Sequence, residues 1–304
     1  MKMMIWLRAA RLKLHILGML PVLVGSLTGA RKTGIFNIPS FIFAELITLF
    51  VLMATAFAND YADAETDRLN RDFNIFSGGS RAIPEGLISE SQMLLATFTA
   101  SVVSLSLSIL FLVLLEGHPS VLLLNLIGLF VGIQYSLPPL RINYRGLGEI
   151  LVMLMYSFFC VGFGYVTQGA PEFDSGILYV SVPLAISMFL MILITEVPDT
   201  DTDKYSGKKT IPAVIGKKTA LNIFLLGVIF LYLGVVVLYM VGALGKVAFY
   251  GLLFSVPLGI FLIVLSLSGE KMAPQKIFLL CAFTLVLNIW VNMALSINFL
   301  FGRA

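Results

Sequence analysis

The 304-residue chain is 59% hydrophobic and 12% charged, whereas a soluble protein carries about 25% charged residues. A water-exposed globule has nowhere to bury that excess, so composition excludes a soluble fold and points to a membrane protein. The net charge of +3 is small, and no basic stripe with interleaved aromatics occurs, which removes nucleic acid as a partner.

A helix needs about 20 mostly apolar residues to cross a hydrocarbon core. Nine such stretches follow one another at roughly 12–29, 38–58, 91–115, 119–136, 147–169, 176–195, 219–242, 247–268 and 277–301. No alternating pattern of barrel strands competes with them. The expectation is an all-α integral membrane protein: a single domain, residues 1–304, forming a bundle of nine transmembrane helices in the lipid bilayer. A signal peptide over residues 1–30 is disfavoured by Pro21 inside the apolar run and Arg31 close after it, so the first helix is expected to be retained. Cys160 and Cys281 fall inside spans and read as small core residues.

With nine spans, the N-terminus and every second loop share one side. That side carries 16 of the 20 basic residues, including Lys2, Arg8, Arg11, Lys13, Arg71, Lys271 and Lys276; Arg31, Lys32, Lys246 and Arg303 lie opposite. The positive-inside rule makes the richer side cytoplasmic, giving a multi-pass protein of the cell membrane.

Non-cytoplasmic turns are short, as at Glu116-Gly117-His118. Two cytoplasmic loops, about 59–90 and 196–218, are long and hold 11 of the 17 acidic residues, Asp72 among them. Long polar loops on a compact bundle are where function concentrates. Each follows an apolar helix and opens with carboxylates four apart. Four helices separate them, so both emerge on one side, and the pattern suggests a four-plus-four-plus-one arrangement.

The first loop opens Asn59-Asp60-Tyr61-Ala62-Asp63-Ala64-Glu65-Thr66-Asp67. On a helix Asn59, Asp63 and Asp67 share one face. The second reads Glu196-Val197-Pro198-Asp199-Thr200-Asp201-Thr202-Asp203, with Asp199 and Asp203 in the same register. Like charges at that spacing repel unless a cation neutralises them. Hard oxygen donors without Cys or His select Mg²⁺ or Ca²⁺, and Mg²⁺ takes few protein carboxylates and completes its shell from water and phosphate. Two such sites on one cavity suit a diphosphate bridged by Mg²⁺. Arg68, Arg81, Arg141, Arg145, Lys204, Lys208 and Lys209 stand nearby to neutralise an anion, and Gly78-Gly79-Ser80 and Gly207 allow backbone to approach it.

Asn59-Asp60-x-x-Asp63-x-x-x-Asp67, Asp199-x-x-x-Asp203 with Gly207 and Thr210, and Tyr135-Ser136-x-Pro138-Pro139 together resemble the UbiA superfamily of intramembrane prenyltransferases over nearly the whole chain. The resemblance implies Mg²⁺-dependent transfer of a prenyl group from a prenyl diphosphate to an aromatic or lipid-precursor acceptor. It implies that Asn59, Asp63, Asp67, Asp199 and Asp203 hold the Mg²⁺–diphosphate, with Arg68, Lys208 and Lys209 as a cationic clamp. Phe76-Ser77-Gly78-Gly79-Ser80-Arg81 looks like the branch acting on dihydroxynaphthoate. Asp67-Arg68-Leu69-Asn70-Arg71 and Arg81-Ala82-Ile83-Pro84-Glu85-Gly86 look like branches acting on 4-hydroxybenzoate or geranylgeranylglyceryl phosphate. Glu196 and Pro198 depart from the commoner second motif. Tyr135 is a candidate to stabilise an allylic cation through its ring face, against an interfacial packing role.

Two other classes compete. A secondary transporter could use the Asp clusters as cation sites, but transporters place acid near the bilayer midplane, and here the spans hold essentially Glu45 alone. A lipid-phosphate alcohol transferase would need a single compact Asp-x-x-Asp-Gly-x-x-Ala-Arg signature, which is absent.

Overall fold

The computed structural model describes residues 2–70, 76, 78–170, 174–269 and 272–301. Arg71, Asp72, Ser77, Lys271 and Arg303, named above, lie outside them, as do the side chains of Lys2 and Lys13. All regular structure among the described residues is helical. In chain order the helices are α1 (Lys2–Ala9), α2 (Leu12–Thr33), α3 (Ile38–Ala62), α4 (Ala64–Leu69), α5 (Glu90–Leu114) and α6 (Ser120–Ser136). They continue as α7 (Gly148–Thr167), α8 (Ser175–Thr195), α9 (Thr200–Ser206), α10 (Ile211–Ile215), α11 (Lys217–Met240), α12 (Lys246–Ser266) and α13 (Pro274–Phe301).

Seven of these, α3, α5, α7, α8, α11, α12 and α13, are long and apolar enough to cross a membrane. The other two expected spans look different. α6 is apolar but has only 17 residues, and α2 has 22 with Arg31 and Lys32 in its last turn. Leu95, Phe98, Val113, Phe130, Phe230 and Val264 are exposed on the outer faces. Such a continuous apolar surface is stable only against lipid.

Local chemistry starts these helices where the sequence breaks. The Asn37 side chain accepts from Ser40 N at 3.0 Å and opens α3, while Ser89 and Gln92 form a capping box that opens α5. The Asp174 side chain accepts from Gly176 N at 2.7 Å to start α8. α7 carries a π turn at Met155–Phe159, a local widening that in other proteins often accompanies function.

Between helices, small residues set the spacing. A side chain on Gly25 would collide with the carbonyl of Val161, and one on Gly29 would sit 2.6 Å from Tyr165 O. One on Gly164 would lie 2.9 Å from Ser26 N. The backbones of α2 and α7 therefore touch, as small-residue interfaces permit in lipid. α2 is accordingly a packed member of the bundle. Deeper in, Val22, Ala44, Ile47, Phe111, Val121 and Phe163 form a separate apolar cluster.

Gly25→Ala should overpack this contact and lower thermal stability in detergent by an amount equivalent to about 1–3 kcal/mol. Gly162→Ala, on the same helix as Gly164 but with open space around it, should be neutral or stabilising by up to ~1 kcal/mol. Equal melting temperatures for the two variants would refute the close-contact account.

Candidate functional site

The last turns of α3, α6 and α8 converge at one end of the bundle, and the two acidic segments meet there. α3 stops at Ala62 because Asp63 takes the cap position, and the chain restarts as α4. The expected face survives this bend. Asn59 Nδ2 donates to Asp63 Oδ2 at 2.9 Å, and Asp67 N donates to Asp63 O at 2.8 Å. Asp199 caps α9, and Asp203 N donates to Asp199 O at 2.8 Å. Asn70 Nδ2 donates to Asp199 Oδ1 at 2.8 Å, tying the two acidic segments together across 129 residues of sequence.

Lys208 lies between them. Its Nζ is 3.4 Å from Asp63 Oδ2, and its backbone N donates to Asp203 O at 2.9 Å. Burial opposes its charge, but the surrounding acids, Asp63 and Asp203 first, hold the ammonium well above the ordinary lysine value. Asp63 also accepts from Tyr144 Oη at 3.0 Å, and Asp203 Oδ2 accepts from Thr210 Oγ1 at 2.9 Å. Asp63, Asp67 and Asp203 are all buried. Burial, reinforced by Asp63 beside it, pushes the Asp67 carboxyl up to about 7. Burial likewise raises Asp203 to about 6, although Lys208 and the Thr210 hydroxyl pull it down.

A second layer supports this one and was not singled out from sequence. Arg11, read above only as a topology charge, pairs with the buried Asp60 and also donates to Asn59 Oδ1 at 3.4 Å. Asp60 in turn accepts from the backbone N of Ser80 at 3.2 Å and from its hydroxyl. Gly79 runs past at φ +67°, where an added Cβ would collide with the Asp67 carboxylate and lie 3.1 Å from Asp60 Oδ1. Glycine is required there for space and backbone conformation alike. Arg11, Arg81 and Arg141 all have positive φ, and Glu116 is the only other described non-glycine residue that does. Held backbone conformations of this kind gather at functional sites.

Glu149 is 1% exposed at the start of α7 and accepts from the backbone N of Ile211. Burial, and next the nearby Glu149, push the Glu196 carboxyl far above the usual carboxylate range. The spans therefore hold a second acid besides Glu45. It was overlooked in sequence because it stands at a helix start, where a carboxylate reads as an end charge. Asn143, 2% exposed, has no hydrogen-bond partner for either side-chain polar atom among the described residues.

The cations divide. Arg81 Nη1 donates to the backbone O of Asp67 at 2.7 Å and so braces α4. Arg141 stacks on the Tyr144 ring at 4.0 Å. Arg68, Arg145 and Lys209 are not brought against the carboxylates. Arg68 is exposed beside a shallow cleft with Tyr61 and Leu87, and Arg145 reaches Pro139 O at 3.0 Å. Lys209 is exposed. Helix phase turns Arg68 outward beside the inward Asp67, whereas Arg145 and Lys209 lie in connections outside the helices.

Below the acids opens an apolar cavity of about 370 Å³, with Tyr135, Thr55 and Thr195 near its mouth and Met155, Phe159 and Met188 on its walls. Tyr135 thus joins the acidic end to the cavity. Among the described residues no three His, Cys, Asp or Glu side chains form a ready cage for an ion. The donors are nevertheless all oxygen, and three of them are buried together with too little positive charge. That set fits a hard divalent cation that keeps water or phosphate ligands.

A profile of the UbiA prenyltransferase family matches residues 18–295. The chain is 26% identical over 237 residues to the 2-carboxy-1,4-naphthoquinone phytyltransferase of Synechocystis, covering 75% of this chain and 72% of that protein. It is 27% identical over 205 residues to the digeranylgeranylglyceryl phosphate synthase of Haloquadratum walsbyi, covering 65% and 63%. In fold it is similar to the apo UbiA homologue from Aeropyrum pernix, with TM-score 0.68, 17% identity, and 93% and 98% of the two chains covered. It is also similar to the Archaeoglobus fulgidus homologue bound to DMAPP and Mg²⁺, with TM-score 0.59, 18% identity, and 95% and 99% covered.

The raised carboxyls make metal-free stability depend on pH. An unfolded Asp titrates near 3.9, and Asp67 titrates at about 7 in the folded chain. Between those values the folded state holds the extra proton, so stability falls as pH rises from about 4 to 7 and then levels off. Melting temperature in detergent with EDTA should show this slope, and Asp67→Asn should flatten it. A slope unchanged in the variant would contradict the assignment to Asp67.

Proposed function

The chain belongs to the UbiA prenyltransferase family, and from that membership we propose that it transfers a prenyl group from a prenyl diphosphate to an aromatic or lipid-precursor acceptor, dependent on Mg²⁺. The observation that carries this reading is the junction of two buried acidic segments with a dry apolar cavity, one suited to a metal-bound diphosphate and the other to its hydrocarbon tail.

In this mechanism Asn59, Asp63, Asp67, Asp199 and Asp203 would hold Mg²⁺, which when bound would neutralise charge on the diphosphate. Lys208 stands where it can accept part of the departing negative charge, and a preorganised charge in a low-dielectric site is worth far more than one in water. Arg81 and Arg11 keep α4 and the end of α3 in place rather than touching the anion. Arg68, Arg141, Arg145 and Lys209, exposed or turned to other partners, suit capture of the diphosphate at the entrance. The electron pair of the allylic C–O bond leaves with the diphosphate, and the allylic carbon is attacked by the acceptor, which loses a proton. Tyr135, which lines the cavity at its mouth, is the candidate to stabilise the allylic cation through its ring face. Exclusion of water by the cavity walls protects that cation from hydrolysis.

The bundle is read as nine spans in a four-plus-four-plus-one arrangement, with α2 and α6 completing the seven longer ones. The basic end, which includes the acidic site, faces the cytoplasm by the positive-inside rule. The transporter alternative has less support, because the acids gather at helix ends beside an apolar cavity rather than around a midplane path.

The test uses purified protein in nanodiscs with geranylgeranyl diphosphate and Mg²⁺, offered 1,4-dihydroxy-2-naphthoate, 4-hydroxybenzoate and geranylgeranylglyceryl phosphate in turn, with product read by mass. One acceptor should be prenylated, and the product should vanish with EDTA. Asp63→Ala and Asp199→Ala should each lower turnover by at least about 10³-fold, of the order that loss of a main charge-stabilising group costs, while melting cooperatively. Full activity in either variant would overturn the site, and Mg²⁺-independent turnover would overturn the metal's role.

A further inference from the structure

Lys208 sits on a short linker, residues 207–210, that joins α9 to α10. At its first end Gly207 turns at φ +75°, and Lys208 N donates to Asp203 O at 2.9 Å. At its last residue Thr210 Oγ1 donates to Asp203 Oδ2 at 2.9 Å. Both bonds tie the linker back to α9, its own neighbour in sequence. Neither fixes where the Lys208 ammonium stands relative to Asp63, which belongs to the other acidic segment.

The start of α7 supplies that reference. A Cβ on Gly146 would stand 3.6 Å from Lys209 O, so the chain entering α7 runs beside the linker. Three residues on, the buried side chain of Glu149 accepts from the backbone N of Ile211, 62 residues away. The physical reason lies in how α10 begins. The first N–H groups of a helix have no intrahelical partner. Pro212 brings no N–H to satisfy, and Thr210, the cap residue, commits its hydroxyl to Asp203 and makes no cap bond. The N–H of Ile211 is therefore met from another helix. Glu149 stands in the first turn of α7 as well, and a negative charge between two helix starts is favoured by both dipoles.

We propose that Glu149 is a positioning residue for Lys208: by holding the N–H of Ile211 it pins the linker against α7 and so places the ammonium where it meets the diphosphate. The inference rests on the diphosphate reading given above. It asks of Glu149 an acceptor oxygen, and neither a proton transfer nor a metal bond. An effect of Glu149 on diphosphate binding then passes through Ile211 at one step and through Lys208 at the next, and each step can be cut separately.

The test reads Mg²⁺-dependent binding of inorganic diphosphate to the full chain in nanodiscs by calorimetry, with no acceptor present. Glu149→Ala should weaken binding about 10- to 100-fold, the range for loss of a hydrogen bond to a charged group. Glu149→Gln, whose amide oxygen can accept the same bond, should stay within about threefold of the wild type, since only the charge–dipole attraction is lost. Ile211→Pro deletes the donor alone. Proline suits a first helical position, and Thr210 at φ −66°, ψ 154° already has the backbone that precedes proline. That variant should match Glu149→Ala, and the two together should be no worse than either. With Lys208→Met in place, neither change should weaken binding further, whereas general loss of packing would add. Ile211→Pro carries the test alone if Glu149→Ala fails to fold. Binding unmoved by Ile211→Pro, Glu149→Gln as weak as Glu149→Ala, or full additivity with Lys208→Met would overturn the positioning role and leave diphosphate recognition intact. A wild-type chain that binds no diphosphate with Mg²⁺ would overturn the functional reading itself, and this inference with it.

Discussion

The arrangement depends on one energetic problem, the burial of several carboxylates at the end of an apolar bundle. An isolated ionised acid in low dielectric is costly, and here Asp60, Asp63, Asp67 and Asp203 are buried within a few turns of one another. Two cations meet the problem from within the chain. Arg11 pairs with Asp60, and Lys208 sits against Asp63 and over the backbone of Asp203. What they leave uncompensated raises the Asp67 and Asp203 carboxyls or is available to a divalent ion. The cost of burying these acids together is thus the counterpart of the site's capacity to bind a cation.

That electrostatic knot also organises the fold around it. Arg81 reaches back to the carbonyl of Asp67, and Gly79 passes close enough to exclude any side chain. Asn70 links α4 to the cap of α9. The halves of the chain, distant in sequence, are therefore registered against each other at the site and not only by packing between helices. Below this polar layer the polar groups turn away from the cavity. The Asn125–Ser104–Ser108 group bonds within itself, as does the group of Tyr156, Asn288, Asn292 and Ser187. The walls that remain are almost wholly apolar, so charged chemistry at the mouth and a hydrocarbon chain beneath it can share one enclosure.

Much of this was legible in the chain itself. Spans declare themselves because apolar runs of 20 residues have no other stable environment, and the acidic faces declare themselves because residues four apart on a helix share a side whatever surrounds them. Asn59, Asp63 and Asp67 kept that relation even though Asp63 ends one helix and begins the next. Asp199 and Asp203 kept it as the cap and fourth residue of α9. Local periodicity is short-ranged, and it survives tertiary folding.

The cations could not be assigned the same way. Lys208 and Lys209 are neighbours of identical charge, yet one lies among the acids and the other in the open. Arg11 looked like one basic residue among many near the N-terminus and became the partner of Asp60. Glu149 lay inside a predicted span and joined Glu196 across 47 residues. A long flexible side chain takes its role from whatever the fold brings within reach, and that depends on contacts distant in sequence. The sequence by itself determined the membrane architecture, the paired acids and the family resemblance, all of which rest on composition and local repeat. Only the tertiary structure decided which cation meets which acid and which helices line the cavity, because those are contacts between helices and no local pattern encodes them.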